Sequence, residues 1–532
     1  MTAVATDAPI TDETCKAFRE LSPDALTPDA VHRFVVGEDT TLQVLTAEEA
    51  AGELGDPFAT ELLLKGTFPR TAGEVLSAFA AAMPEGDLLR APMFFLVGDG
   101  SQIPFSAETA DVARNLRFLV TLGNGSEGPD VMLSAFNPEE GDVELMAWDH
   151  ARGGFNYYQT VGDSSSWVFA GNSRHALLEA TEGKGPFESH PSGNVIMKEL
   201  RTPWINWDSP AANILPSAFA PDDPLRDHPW FNKKDPQGAI TCEASVVRPG
   251  IERWTKARFA TIAANGGKIE RPERIMRQVL TSPAVNLGSS HTETSIVAST
   301  EAVDLPPTFF VDSAALTETL DLQAPPAFTV PGSRYAAALT AFDVALTDGD
   351  SFSRPGDTHF VFLVPERAAE DQAVVVAAID SGLLTERLAA CLLMVDFANP
   401  VFSERRAALL RHVPPTATIT NDASDFSQAS AEVILAAVAS TAEGSPEREF
   451  AERWNAGEGW REAFNPLLES YYAAVIARLG DQEGFNDLFR LAEARRRRVR
   501  QMPIFESPLL FAQTNIPASE RVMQSDGTVI ER

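Results

Sequence analysis

Four strand-length segments follow one another between residues 131 and 172: VMLSAF, VELMAWD, FNYYQTV and SWVFAGN. Their connectors, NPEEGD, HARGG and GDSS, are short and carry the Gly, Asn, Asp and Pro that tight turns use. A parallel crossover needs a dozen or more residues, so connectors of this length predict an antiparallel meander.

Upstream, RFVV, LQVL, MFFLVGDG and LRFLVTLG have strand character, and TAGEVLSAFAAAM has helical periodicity with Thr71 placed as its N-cap. From residue 245 onward apolar residues recur at intervals of three and four. IERWTKARFATIAA, ERIMRQVL, RYAAALTAFDVAL, DQAVVVAAIDSGLLTERLAACLLMV, SAEVILAAVAS and FNPLLESYYAAVIARLG all read as helical. Gly382 is expected to divide the fourth of these, and THFVFLVP (358–365) reads as an isolated strand. At 532 residues the chain is long enough for two or three domains. The expected fold is α+β. A lead-in (1–30) precedes an α+β domain with the antiparallel meander (31–180). A loop-rich Trp/His/Pro junction (181–244), a helical domain (245–500) and an extended C-terminal arm (501–532) follow.

The formal net charge of −32 repels phosphate backbones and anionic lipid, so neither nucleic acid nor a membrane is an expected partner. Three cysteines lie far apart without CxxC spacing, which suits a reducing compartment. The segment MTAVATDAPITDETCKAF lacks the apolar run of a secretory signal, and the longest apolar run, LAACLLMV (388–395), falls far short of the ~20 residues that span a bilayer. A cytoplasmic protein is expected. Arg far outnumbers Lys, as in proteins of GC-rich bacteria, and no function is drawn from that.

Residues 148–230 hold five of the eight tryptophans and four of the eight histidines, in a stretch with little helical periodicity. Large rings on turns and loops position binding groups more often than they fill cores. In MKELRTPWINWDSPAANI (197–214), Pro203 breaks any helix ending near Leu200. If WINW restarts as a helical turn, Trp204 and Trp207 share one face and form a two-ring wall. If it is extended, they face opposite ways. Lys198 and Glu199 read as a charge pair at the rim, in preference to a catalytic pair. In PDDPLRDHPW (221–230), Asp222, Asp223, Asp227 and His228 offer oxygen and nitrogen ligands, and His150 adds another. The set His228, Asp223 and His150 would suit Fe(II), Mn(II) or Zn(II). An Asp-rich loop with prolines is equally the composition of an ordinary turn and helix cap.

No GxSxG elbow, GxGxxG, Walker A loop or CxxCH is present. Non-covalent haem on one His, Cys or Tyr ligand stays open. RRRR (495–498) ends a helical segment, where favourable interaction with the helix C-terminus accounts for it.

CEASVVRPGIERW (242–254) resembles the cysteine-to-PGIE segment of the amine oxidases that build a cysteine tryptophylquinone cofactor. Cys242 and PGIE (249–252) match in spacing, the glycines usual after the cysteine are absent, and the family's later tryptophan motif is not recognisable. The match covers a dozen residues and the family is not adopted. The resemblance implies one alternative, a protein-derived quinone built on Cys242 and a tryptophan such as Trp254. The other reading of Cys242 is a small buried apolar residue.

The leading expectation is an oxidoreductase-type enzyme acting on an apolar or aromatic small molecule. Its pocket is expected at the β/α junction, walled by Trp204, Trp207, Trp230 and Tyr158, with His150, His190, His228 and Asp223 as metal, haem or acid–base groups. Two further classes stand beside it. One is a non-catalytic binding or assembly protein, whose aromatic cluster is a seam and whose arm joins subunits. The other is a cofactor-free hydrolase or isomerase using His and carboxylates.

Overall fold

The computed structural model describes residues 21–98, 105–110, 116–195 (except 136, 138, 142 and 163), 220–232 (except 224, 225 and 227), 236–237, 242–288 (except 282), 302–348, 352–356, 364–419, 425–501 and 512–532. Among them no helix is long and apolar enough to cross a membrane. The chain is α+β, with a large mixed sheet in the N-terminal half and most of the helix in the C-terminal half. Two compact units divide it. Unit 1 takes in the described residues up to 257, and unit 2 those from 258 on.

Among the described residues, unit 1 is built on a nine-stranded sheet of order β2-β1-β8-β7-β6-β5-β4-β3-β9. The strands are β1 (Val31–Arg33), β2 (Gln43–Val44), β3 (Met93–Gly98), β4 (Leu116–Leu122), β5 (Val131–Ala135), β6 (Val143–Asp149), β7 (Gly154–Gln159), β8 (Trp167–Asn172) and β9 (Pro236–Gln237). From β3 to β8 every neighbour is antiparallel, as the short connectors require. The sheet is mixed because β1 joins β8, and β9 joins β3, in parallel.

Strand alternation sorts the side chains of the central strands onto two covered faces. Val143, Leu145, Ala147, Tyr158, Trp167 and Phe169 share a core with Ala50, Phe58, Leu62, Val75 and Phe79 from the helices Ala47–Glu53, Pro57–Glu61 and Ala72–Ala82 and the turn after the second. The last helix is capped by Thr71, whose side chain accepts from Glu74 N–H. On the opposite face Tyr157 meets the ring of Phe187 and Gly154 meets that of Trp254. A β-bulge at Tyr157/Tyr158 sits in the β7–β8 ladder.

Unit 2 has one large core. The apolar run Leu388–Val395, on and just beyond the helix Glu386–Leu393, is buried throughout. Gly382, at φ +74°, separates this helix from Ala369–Asp380, and that conformation suits glycine. The strand expected over 358–365 is seen at Val364–Arg367 and is not isolated: it pairs antiparallel with Val285–Gly288. Residues 358–363 lie outside the described residues. Of the C-terminal arm, expected to lie across either its own chain or a partner subunit, 502–511 also lie outside them. The rest is laid on its own unit. Ala512–Gln513 pairs with Ala345–Asp348, Ile516 and Met523 are buried in the unit's core, and the Asn399 amide bonds both backbone groups of Met523.

Candidate functional site

Register decides which side chains meet at the end of the meander. Val131 pairs with Ala147, and Trp148 N–H donates to the Asp130 carbonyl at 2.8 Å. Asp130 just before β5 therefore stands beside His150 just after β6. Asp130 Oδ1 lies 3.0 Å from His150 Nε2 and accepts from Arg253 Nη2 at 2.8 Å. Arg253, on the helix Arg248–Ala264, also donates to the Pro129 carbonyl, and its guanidinium lies 4.4 Å from the centre of the Trp148 ring. The side chain of Arg253 is 7% exposed, that of Asp130 23% and that of His150 59%. A buried cation thus fixes a carboxylate, which orients an accessible imidazole.

Glycines let the helix come this close. A Cβ on Gly128, itself at φ +95°, would stand 3.2 Å from Gly250 N and from Pro249 Cβ, and one on Gly250 would stand 2.6 Å from Val195 Cγ1. The PGIE segment is therefore a docking strip that delivers Arg253 to Asp130.

In the tautomer that donates Nε2–H to Asp130, Nδ1 is the acceptor nitrogen of the ring. Arg253 Nη2 lies 3.4 Å from both ring nitrogens, across the ring. An Asp–His pair of this kind can move a proton to or from a bound molecule or activate water.

The other expected residues are placed elsewhere. Trp254 is buried and donates Nε1–H to the Ser192 carbonyl at 2.8 Å, with Ser192 at φ +69°. Along the same run Ser173 Oγ donates to the Gly193 carbonyl, and both the Tyr157 hydroxyl and His190 Nδ1 meet the Asn194 carbonyl. The His190 and Tyr157 rings lie 5.1 Å apart and tilted at 48°, and burial pushes the Tyr157 phenol far above its ordinary range. These contacts stitch residues 190–195 onto β7 and β8. They give His190 a scaffold role.

His228 Nδ1 accepts from Trp230 N–H at the short helix Pro229–Asn232, and Nε2 lies 3.3 Å from Glu139 Oε1. Trp230 is packed on Phe94 and Phe118 at 5.1 and 5.7 Å and belongs to the helix-side core, so it fills the interior rather than walling a pocket. Tyr158 is in the same core and donates to Asp56. Asp223 sits in a turn where its N–H meets the Ala220 carbonyl.

Among the described residues no group of three or more His, Cys, Asp or Glu side chains is placed to hold a metal ion. The expected set of His228, Asp223 and His150 is not assembled, because His150 is directed to Asp130 and His228 to Glu139. Cys242 and Trp254 are both buried, but they lie on one unbroken helical run, the π-helical Glu243–Val247 leading into Arg248–Ala264. Twelve residues of helix separate them by roughly 18 Å along the axis. A thioether between these two side chains is beyond reach. Trp204, Trp207, Lys198, Glu199 and Asp227 lie outside the described residues.

No family matches this chain, and no curated protein or solved structure matches it. The chemistry must be argued from its own residues. Asp130 and Arg253 were not among the residues expected to form a site. The available signal was the Asp that closes GNGSEGPD just before a strand, at the same end of the sheet as the turn that bears His150.

Proposed function

We propose that unit 1 is an enzyme of acid–base type, a hydrolase or isomerase acting on a small molecule. His150 is the proton-transfer group, Asp130 its orienting carboxylate, and Arg253 a positioning residue. One observation carries this reading: Asp130 Oδ1 is shared by His150 Nε2 and the buried Arg253 Nη2, while the imidazole keeps most of its surface open. Orientation by a fixed carboxylate is what distinguishes a working base from a surface histidine.

A panel of nitrophenyl carboxylic and phosphate esters tests hydrolysis, and deuterium wash-in beside the carbonyl of small keto acids tests isomerase-type proton abstraction. The wild type turns over at least one class. His150→Gln lowers that rate by about 10²–10⁴-fold, the range for general acid–base catalysis. Asp130→Asn keeps binding but flattens the pH–rate profile. Turnover by His150→Gln at the wild-type rate, or no turnover of any class by the wild type, removes the reading and favours a binding or assembly protein. The oxidoreductase expectation leans on Trp204 and Trp207. An absorption spectrum with metal analysis on the same sample separates it from the present proposal.

A further inference from the structure

The turn that bears His150 is built over a buried aspartate. Asp149 closes β6, pairs with Gly154 across the hairpin and is 1% exposed, whereas His150, Ala151 and Arg152 lie on the surface. Its Oδ1 accepts from Ala151 N–H at 3.0 Å and from Arg152 N–H at 2.9 Å. Its carbonyl accepts from Gly153 N–H at 2.8 Å. From the other side Arg174 Nη2 donates to the carbonyls of Arg152 and Gly153 at 2.8 and 3.2 Å. The backbone of this surface turn thus takes from protein the partners that an exposed loop can take from water.

The turn is also tied to the layer beneath it. Asp149 Oδ2 accepts from Gly55 N–H at 2.9 Å and from Arg152 Nη1 at 2.7 Å, and Arg152 Nη2 reaches the Gly52 carbonyl near the end of the helix Ala47–Glu53. Gly55 makes room for this: a Cβ there would stand 2.9 Å from both Asp149 carboxylate oxygens and 2.7 Å from Arg152 Nη1. The next residue, Asp56, caps Pro57–Glu61 and accepts from Asn156 and Tyr158 of β7. A carboxylate is expensive to bury unless it is paired and hydrogen-bonded. Gly55, Ala151 and Arg152 all donate to this one. What they fix is the residue that follows it, His150, whose Nε2 stands 3.0 Å from Asp130 Oδ1.

We propose that Asp149 is a positioning residue of the acid–base site. It fixes the backbone of the turn so that the His150 ring is held on Asp130 instead of swinging into water. Its purpose rests on the acid–base reading of His150; its grip on the turn does not. Removing the Asp149 carboxylate releases the Ala151 and Arg152 N–H groups and leaves Asp130 on Arg253.

Nuclear magnetic resonance of the full chain carrying isotope-labelled histidine tests this at about pH 8.5, where an ordinary imidazole is neutral. The ring nitrogen shifts of His150, assigned by their absence in His150→Gln, report the share of rings that carry the proton on Nε2. In the wild type that share exceeds the share in Asp130→Ala. The Ala151 and Arg152 amides exchange about 10–100-fold slower than unprotected ones, the protection that a bond to a charged acceptor gives. Asp149→Ala lowers the share to that of Asp130→Ala. So does Gly55→Ala, which crowds the Asp149 carboxylate without changing any charge. A purely structural clasp would lower the unfolding temperature and leave the share at its wild-type level. That result in Asp149→Ala, or in Gly55→Ala should the first not fold, overturns the proposal. Should neither fold, the wild type decides: protected Ala151 and Arg152 amides support the proposal and unprotected ones overturn it. Equal shares in wild type and Asp130→Ala overturn it together with the acid–base reading. A share that depends on Asp149 in a protein without turnover removes that reading alone.

Discussion

Tyr158 donates its hydroxyl to Asp56 Oδ2 across 2.5 Å in the closed core of unit 1. Asp56 is also the N-cap of Pro57–Glu61, accepting from Ala59 N–H, and takes a further bond from Asn156 Nδ2 at 2.7 Å. Burial raises the Asp56 carboxyl, and burial together with the Asp56 charge raises the Tyr158 phenol well above its ordinary value. The pair thus welds a helix start to β7 across sheet and helix layers. Tyr158→Phe keeps the ring contacts with Phe58 and Phe169 and removes only the donor. Urea unfolding is expected to show a loss of about 1.5–3 kcal/mol, the range for a bond to a charged acceptor. A loss below about 0.5 kcal/mol, the size of an ordinary surface change, contradicts this role.

Trp254 carries a second weld. Its indole N–H holds the Ser192 carbonyl at 2.8 Å, at a residue with positive φ that is not glycine, and its ring lies against Gly154. Trp254→Phe is expected to cost about 1–3 kcal/mol through the unsatisfied carbonyl and the smaller ring. The damage should be local. Hydrogen exchange at 190–195 speeds up while the helix-side core of unit 1 keeps its protection. Uniform loss of protection across the unit would instead make Trp254 a general core residue.

The meander was legible because alternation and connector length act locally, and each of its four strands is found within a residue or two of its expected place. The parallel additions of β1 and β9 depend on distant returns of the chain, which periodicity does not report. Ring counts misled at Tyr158 and Trp230. The abundance of aromatics in a loop-rich stretch does not say which face they take, and β7 turns Tyr158 inward with Leu145 as its cross-strand partner. The Asp130–His150 pair is a consequence of register, so neither residue announces the other. The arginines of RRRR show a different limit. Arg495 and Arg496 are buried, the first on the carbonyls of Phe309 and Ala398 and the second on Glu493. A helix end alone does not account for them.

Glu447 offers a test of electrostatics in unit 2. Its side chain is buried in the first turn of Pro446–Trp454, and Oε1 meets His412 Nε2 at 2.9 Å and the Arg411 guanidinium. Burial pushes the carboxyl up, but the bonds from His412, the backbone and Arg411 outweigh it and hold the group at about 2. A carboxyl depressed in the folded state adds stability above its unfolded value of 4.5, and that stability is lost as pH falls toward 2. Glu447→Gln is therefore expected to cost about 1.5–3 kcal/mol at pH 7. The gap to wild type should close progressively below pH 4.5. Denaturant unfolding at pH 7, 5, 4 and 3 measures it, and a gap that stays constant across that series would show that shape, not charge, holds Glu447 in place.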